Sequence, residues 1–275
     1  MNTRLFITFF IAFILGITSI QIHAVNTSIP THIIDNTMCI ECHEKNNQQL
    51  INDWKTSIHA KSQPVTDCVA CHGGLHERAT MQARPDSVCI DCHGGKKAPV
   101  VHSYTSSKHG IIMQLEKNTY DWQQPLAMAN YRSPGCSYCH LHEADHNVNN
   151  LTRDSLMDIN AADNIEMNIR NVCQDCHAPR YITYLLANGE NMLKIARKKV
   201  REGTHLIEQA SANFSEAELI PARHIMNKMQ QHLRNVYLGV GHQSPDYQWW
   251  HGHPALDGDL LRIKGLISEL HKKNK

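Results

Sequence analysis

Cys39-Ile40-Glu41-Cys42-His43 decides how this chain folds, because the pattern recurs four more times. The other copies are Cys68-Val69-Ala70-Cys71-His72, Cys89-Ile90-Asp91-Cys92-His93, Cys136-Ser137-Tyr138-Cys139-His140 and Cys173-Gln174-Asp175-Cys176-His177. They are called motifs 1 to 5 below. Together they use all ten cysteines. A thioredoxin-like redox pair or half of a zinc site would explain one Cys-x-x-Cys. Zinc needs further Cys or His at finger-like spacings, and a structural disulfide needs no histidine after each pair. Cys-x-x-Cys-His is the attachment motif of c-type haem. Its two thiols add to the two vinyl groups of one porphyrin, and the following histidine is placed under the iron as proximal ligand. Five motifs imply five covalently bound haem c groups. Cys39, Cys42, Cys68, Cys71, Cys89, Cys92, Cys136, Cys139, Cys173 and Cys176 would hold them, and His43, His72, His93, His140 and His177 would ligate iron.

The N-terminus fits an exported protein. Arg4 precedes Leu5–Ile20, a largely apolar run without charge, and Ile22-His23-Ala24 ends in a small residue. That is the pattern of a secretory signal peptide over residues 1–24. The run is short for a bilayer span, which takes about 20 residues, so a soluble, periplasmic protein is expected, with an uncleaved anchor as the alternative. Without Arg4 the 27 basic residues fall to 26, equal to the 26 acidic ones. Haem propionates would make the loaded protein mildly acidic. No basic field for nucleic acid remains. Lys96-Lys97, Arg197-Lys198-Lys199 and Lys272-Lys273 read as solvated surface.

Part of the chain repeats at an offset of 50 residues. Motif 1 aligns with motif 3, Trp54 with Tyr104, Ser57 with Ser107, and His59 with His109. Each of these later histidines follows its motif histidine by 16 residues and sits in a Ser-x-His-small segment. A second axial ligand at a fixed offset explains that economically. The chain has 20 histidines. His59, His76, His109 and His146 are the best distal candidates within the haem region. His205, His224, His232 and His242 compete for the fifth place, for which His242 is chosen. Two histidines per iron leave no open site, whereas a methionine ligand would raise the potential. The ten methionines fall mostly at core-like helical positions.

The organisation expected is a pentahaem-binding region over residues 25–185 and a helical C-terminal region over residues 186–275. The fold class is mainly α, with little strand. Aromatic content is only 6%, so the porphyrins must form much of the core. In the C-terminal region Met192, Ile195, Ala196, Lys199, Val200 and His205 mark a long helix. A second is expected to begin at Pro221, to carry Met226, Met229, Leu233 and Val236, and to end at Gly239 and Gly241. Leu256, Leu260, Ile263, Ile267 and Leu270 mark a third. The Met226–Val236 stripe reads as core or as a docking face for a larger assembly.

Three further segments carry a family likeness. They are Ser107-Lys108-His109-Gly110; Tyr131 to His140 with His146-Asn147-Val148; and Leu238 to Gly252, which includes Pro245-Asp246-Tyr247-Gln248-Trp249-Trp250-His251-Gly252. In these the chain resembles the multihaem cytochromes related to hydroxylamine oxidoreductase. The resemblance implies closely packed haems, a helical C-terminal region and frequent homo-oligomers. Enzymes of that family act on hydroxylamine, hydrazine or nitrite at one haem with an open distal side. In the oxidising members a tyrosine of a neighbouring subunit is bonded to that haem. Tyr247 is the nearest positional candidate here, with Tyr237 second, and Asp145-His146 resembles the family's Asp and His pocket pair. His242, Asp246 and His251 would also line such a pocket. The chain departs from the family in having five motifs where the enzymes commonly have eight. Related nitrite reductases often carry Lys in the catalytic motif, and all five motifs here end in His.

Two functions therefore stand open. One is an electron carrier between other cytochromes or a membrane quinol dehydrogenase and a terminal reductase, with every iron six-coordinate. The other is a hydroxylamine oxidoreductase-like or nitrite reductase-like enzyme, with Tyr247 and Asp145 as candidate catalytic residues.

Overall fold

A Cys-x-x-Cys-His stretch wound as one helical turn puts its two thiols at i and i+3 and its imidazole at i+4, all on one face. In the computed structural model, which describes residues 34–129, 132–152 and 162–274, the motifs lie on or at the end of such turns. Motif 1 lies within the helix Asn36–Asn46, motifs 2 and 4 form the short helices Cys68–His72 and Cys136–His140, and motif 3 ends the helix Asp86–Cys92. Motif 5 begins in the last turn of Ala162–Gln174. Local caps start these turns. Asp35 Oδ1 accepts from the Met38 N–H and Asp67 Oδ1 from the Ala70 N–H. The class is mainly α, and no strand occurs among the described residues. The expected leader, residues 1–24, lies outside them.

The apolar core sits in the C-terminal half. Pro179–Ala210, Glu216–Gly241 and His253–Lys273 pack on one another, with Pro245–His251 as a short helix between the last two. Leu193, Val200, Met229, Leu233, Val236, Leu256 and Ile263 are fully buried between them. The Met229–Val236 stripe is thus core. None of these helices is long and apolar enough to cross a membrane. The first of them starts at Pro179, so residues 185 and 186 fall inside one helix.

Three expectations need correction. The middle helix starts at Glu216, five residues before Pro221. Ser215 and Glu218 form a reciprocal capping box, and those hydrogen bonds outweigh the proline as a start signal. That helix ends at Gly241, as expected, but Gly239 lies inside it and does not stop it. Gly239 is needed for close approach, because a Cβ there would press on the Gln248 backbone nitrogen at 3.0 Å. Arg197 is not solvated surface either. It is 1% exposed on the inner side of its helix, where it bonds Glu190 at 2.6 Å. Lys96 and Lys97 are exposed as expected.

Candidate functional site

Before Pro179 the only buried apolar side chains among the described residues are Ile51, Val101 and Met113. Such a long stretch cannot hold its shape on three side chains, so a large apolar group must fill it. Room for one opens beside motif 4. A cavity of about 420 Å³ is lined by Cys139, His140, Leu50, Leu151 and Val172, together with polar Asn47, Asp53 and His142. All ten cysteines are free, as thioether formation requires.

Each of the five motif histidines faces another histidine. His43 faces His76 with ring centroids 6.4 Å apart, and His72 faces His146 at 6.0 Å. His93 faces His59 at 6.1 Å, His140 faces His242 at 6.5 Å, and His177 faces His109 at 6.1 Å. An imidazole nitrogen binds a metal at about 2 Å and its ring centre lies about 1 Å further on, so two imidazoles trans across one iron hold their centroids roughly 6 Å apart. Each motif histidine thus has one partner at the separation that a haem iron between them needs. The residues fit five haems. The other three distal candidates stand elsewhere. His205 and His224 are exposed, and His232 Nδ1 bonds the buried Asp259 carboxylate at 2.8 Å.

Five of these ten rings are pushed toward the neutral form that a ligand must take. Burial lowers the pKa of His72, His140, His59 and His109. It lowers His242 to about 4, with the neighbouring His140 adding to the effect. The His72 Nδ1 bonds the Ala79 carbonyl at 3.0 Å, and the His146 Nδ1 bonds the Ala144 carbonyl at 2.7 Å. His140 bonds the Val148 backbone. A carbonyl beside Nδ1 keeps the proton there and leaves Nε2 free for a metal.

The repeat at offset 50 reaches further than the motifs. Asn36 and Asp86 each precede a first motif cysteine by three residues. Asn36 Oδ1 accepts from the Cys68 N–H at 3.1 Å, and Asp86 Oδ1 accepts from the Cys136 N–H at 2.7 Å. Trp54 Nε1 donates to the Thr66 carbonyl, two residues before motif 2, and Tyr104 Oη donates to the Pro134 carbonyl, two residues before motif 4. So motifs 1 and 2 are tied together as motifs 3 and 4 are. The Ser-x-His segments also acquire a reason. Ser57 and Ser107 are the N-cap residues of the helices that carry His59 and His109, and the Ser107 Oγ accepts from the Gly110 N–H. A Cβ at Gly110 would collide with the Tyr104 carbonyl, which is why glycine follows His109. Sequence reading missed Asn36 and Asp86, although they align at the same offset.

Neighbouring motifs meet in chain order. The Cys39 thiol lies close to Cys68, Cys71 close to Cys89 and Cys92, Cys89 close to Cys136, and Cys139 close to Cys173 and Cys176. Motifs 4 and 5 are also joined by Tyr138 Oη, which donates to Asp175 Oδ2 at 2.7 Å, and by His142 Nε2 on the same oxygen at 2.8 Å. These bonds hold the Asp175 carboxyl below its usual range.

Tyr247 is buried, its ring among those of His102 and His251 at 5.4 and 4.7 Å, with its hydroxyl 3.4 Å from Asn235 Oδ1. Asp246 and His251 are exposed, and Tyr237 is partly buried against the helical core. The Asp145 carboxylate accepts from the Asn147 N–H and from Asn150, within its own turn.

An all-helical frame with repeated Cys-x-x-Cys-His turns and paired histidines defines a multihaem c-type cytochrome. The protein-family profile described as "Seven times multi-haem cytochrome CxxCH" matches residues 25–214, and the chain belongs to that family. It carries five such motifs rather than seven. Its haem is bound covalently. Among solved structures, a chain of the Kuenenia stuttgartiensis reducing HAO-like protein complex is similar, with a TM-score of 0.55 and 14% identity over 87% of this chain and 86% of that one. A hypothetical multiheme protein is similar with a TM-score of 0.56 and 15% identity, over 76% of this chain and 59% of that one. The likeness to both is one of fold.

Proposed function

We propose that the chain carries five haems, each with two axial histidines, and serves as an exported electron-transfer cytochrome. The pairs are His43 with His76, His72 with His146, His93 with His59, His140 with His242 and His177 with His109. One observation carries this reading. Every motif histidine faces a second histidine at 6.0 to 6.5 Å, so no motif keeps a free distal side for a substrate. Haem supplies a one-electron iron couple when bound. The chain's own residues do the rest. Burial favours the neutral form of His59, His72, His109, His140 and His242, backbone carbonyls fix the tautomers of His72 and His146, and Asn36, Trp54, Asp86 and Tyr104 tie motif 1 to motif 2 and motif 3 to motif 4. Contact in chain order is the arrangement that a linear path from motif 1 to motif 5 needs. The leader-like residues 1–24 support export to a periplasm, where other cytochromes or a membrane quinol dehydrogenase are the partners.

The test is low-temperature EPR with resonance Raman of the purified holoprotein, after a pyridine haemochrome count. Five haems, all low-spin, are expected. A high-spin fraction near one haem in five would defeat the proposal and favour an enzyme of hydroxylamine or nitrite type. Tyr247, beside His102 and His251, would then be the first residue to replace.

A further inference from the structure

The His140–His242 pair differs from the rest in how its distal ring is held. His242 is the C-cap residue of Glu216–Gly241, so it reaches motif 4 from the helical core. Its Nδ1 lies 2.7 Å from the Ser103 Oγ. Where the structure gives the Nδ1 partner of another paired histidine, that partner is a backbone carbonyl, as for His72 and His146. Ser103 is fully buried, on the helix Pro99–Thr105, and its hydroxyl proton is donated to the Val100 carbonyl at 2.9 Å. With that proton engaged, the Ser103 oxygen can only accept from His242. The His242 proton is therefore on Nδ1, and its Nε2 is free to face His140. One turn away, the Ser106 and Ser244 hydroxyls bond each other at 2.9 Å. This second bond seats the same segment without touching the imidazole.

We propose that Ser103 is a positioning residue for the motif-4 haem, fixing the tautomer and orientation of His242 as its sixth ligand and setting how strongly that ligand donates. A hydroxyl is a weaker acceptor than an amide carbonyl, and the acceptor beside Nδ1 raises ligand basicity. His72 and His146 both lean on carbonyls, so the motif-2 haem has the more basic ligand pair. This difference in ligand basicity places the motif-2 haem at a lower potential than the motif-4 haem. This inference rests on the proposed ligation by His242.

The test is an EPR-monitored redox titration of the haem-loaded protein with four variants. Ser103→Ala removes the acceptor. The midpoint of one haem is expected to shift positive, and part of that haem to become high-spin and bind carbon monoxide. Ser103→Thr keeps the hydroxyl and restores wild-type behaviour. Ser106→Ala removes the Ser244 contact and the bonds to the His102 and Ser103 carbonyls, none of which touches the imidazole, and leaves all midpoints unchanged. His242→Ala converts one haem wholly to high-spin. Should Ser103→Ala not load five haems, Ser103→Cys, near in shape and much weaker as an acceptor, carries the same expected shift. Unchanged midpoints and spin states in the Ala or Cys variant, with one high-spin haem in His242→Ala, would overturn the role of Ser103 and leave the ligation standing. An equal shift in Ser106→Ala would overturn it too, as a general loosening of the segment. Five low-spin haems in His242→Ala would remove the ligation itself.

Discussion

His109 pairs with His177, at 6.1 Å, rather than with His93, the motif histidine sixteen residues before it, which faces His59 instead. His59 belongs to the same repeat as motif 1, so each repeat sends its Ser-x-His histidine to the first motif of the following one. Replacing His109 should therefore disturb the haem of motif 5 and spare that of motif 3. In His109→Ala one high-spin haem is expected by EPR. Adding Cys173→Ala and Cys176→Ala should remove that signal and leave four low-spin haems. If instead it is Cys89→Ala with Cys92→Ala that removes it, the forward pairing is wrong.

The uneven placing of the core predicts what happens without haem. The buried cluster begins at Leu193, whereas the stretch before Pro179 buries only Ile51, Val101 and Met113 among the described residues. The apoprotein, made in a host without haem-attachment machinery, should keep helix from Pro179 onward and lose order in the motif region. Limited proteolysis with mass spectrometry checks this. Cleavage should fall before residue 179, and a protected fragment after it is the expected product.

Much of this was legible in the sequence, for reasons that also mark where reading stopped. The motifs were legible because covalent attachment fixes the spacing of cysteines and histidine. A repeat at offset 50 picked out His59 and His109, but a period shows that two residues do the same thing, not which ring each faces. That depends on how repeats stack. Ser103 stands beside Tyr104 of the repeat, but its counterpart at the same offset is Asp53, so the period gives it no role. Its role comes from a contact with a residue 139 positions away. The start of Glu216–Gly241 was readable in Ser215-Glu216-Ala217-Glu218, yet Pro221 was the louder and wrong signal.

His253 gives the helical core a pH dependence. It opens the helix His253–Lys273, and burial, with Lys199 nearby, lowers its pKa from the usual 6.5. The unfolded chain therefore takes up a proton first as pH falls. The stabilising contribution is complete above pH 6.5 and declines below it, toward the lowered folded value. Urea midpoints measured between pH 7.5 and 5 should fall in the wild type and fall less in His253→Gln. Equal slopes would exclude His253 as the source.

Leu233 is fully buried among the three long helices. Leu233→Ala should cost about 2–5 kcal/mol through lost burial and the cavity left behind. His242 caps the helix that carries Leu233, so the variant should lose the motif-4 low-spin signal at a lower temperature than the other four. Melting followed by far-ultraviolet circular dichroism and by the haem bands together would show whether the two losses coincide.

On the proposed ligation, the direction in which histidines are lent also sets an order of completion as the polypeptide is made. Motifs 3 and 5 find their partners, His59 and His109, already present upstream. Motifs 1 and 2 must wait for His76 and His146, and motif 4 must wait for His242, close to the end of the chain. A molecule cut short anywhere between residues 177 and 242 would carry all five attachment sites and still leave one iron five-coordinate. On that ligation, a protein with every iron six-coordinate and a truncated one with an open iron are separated by a single late residue.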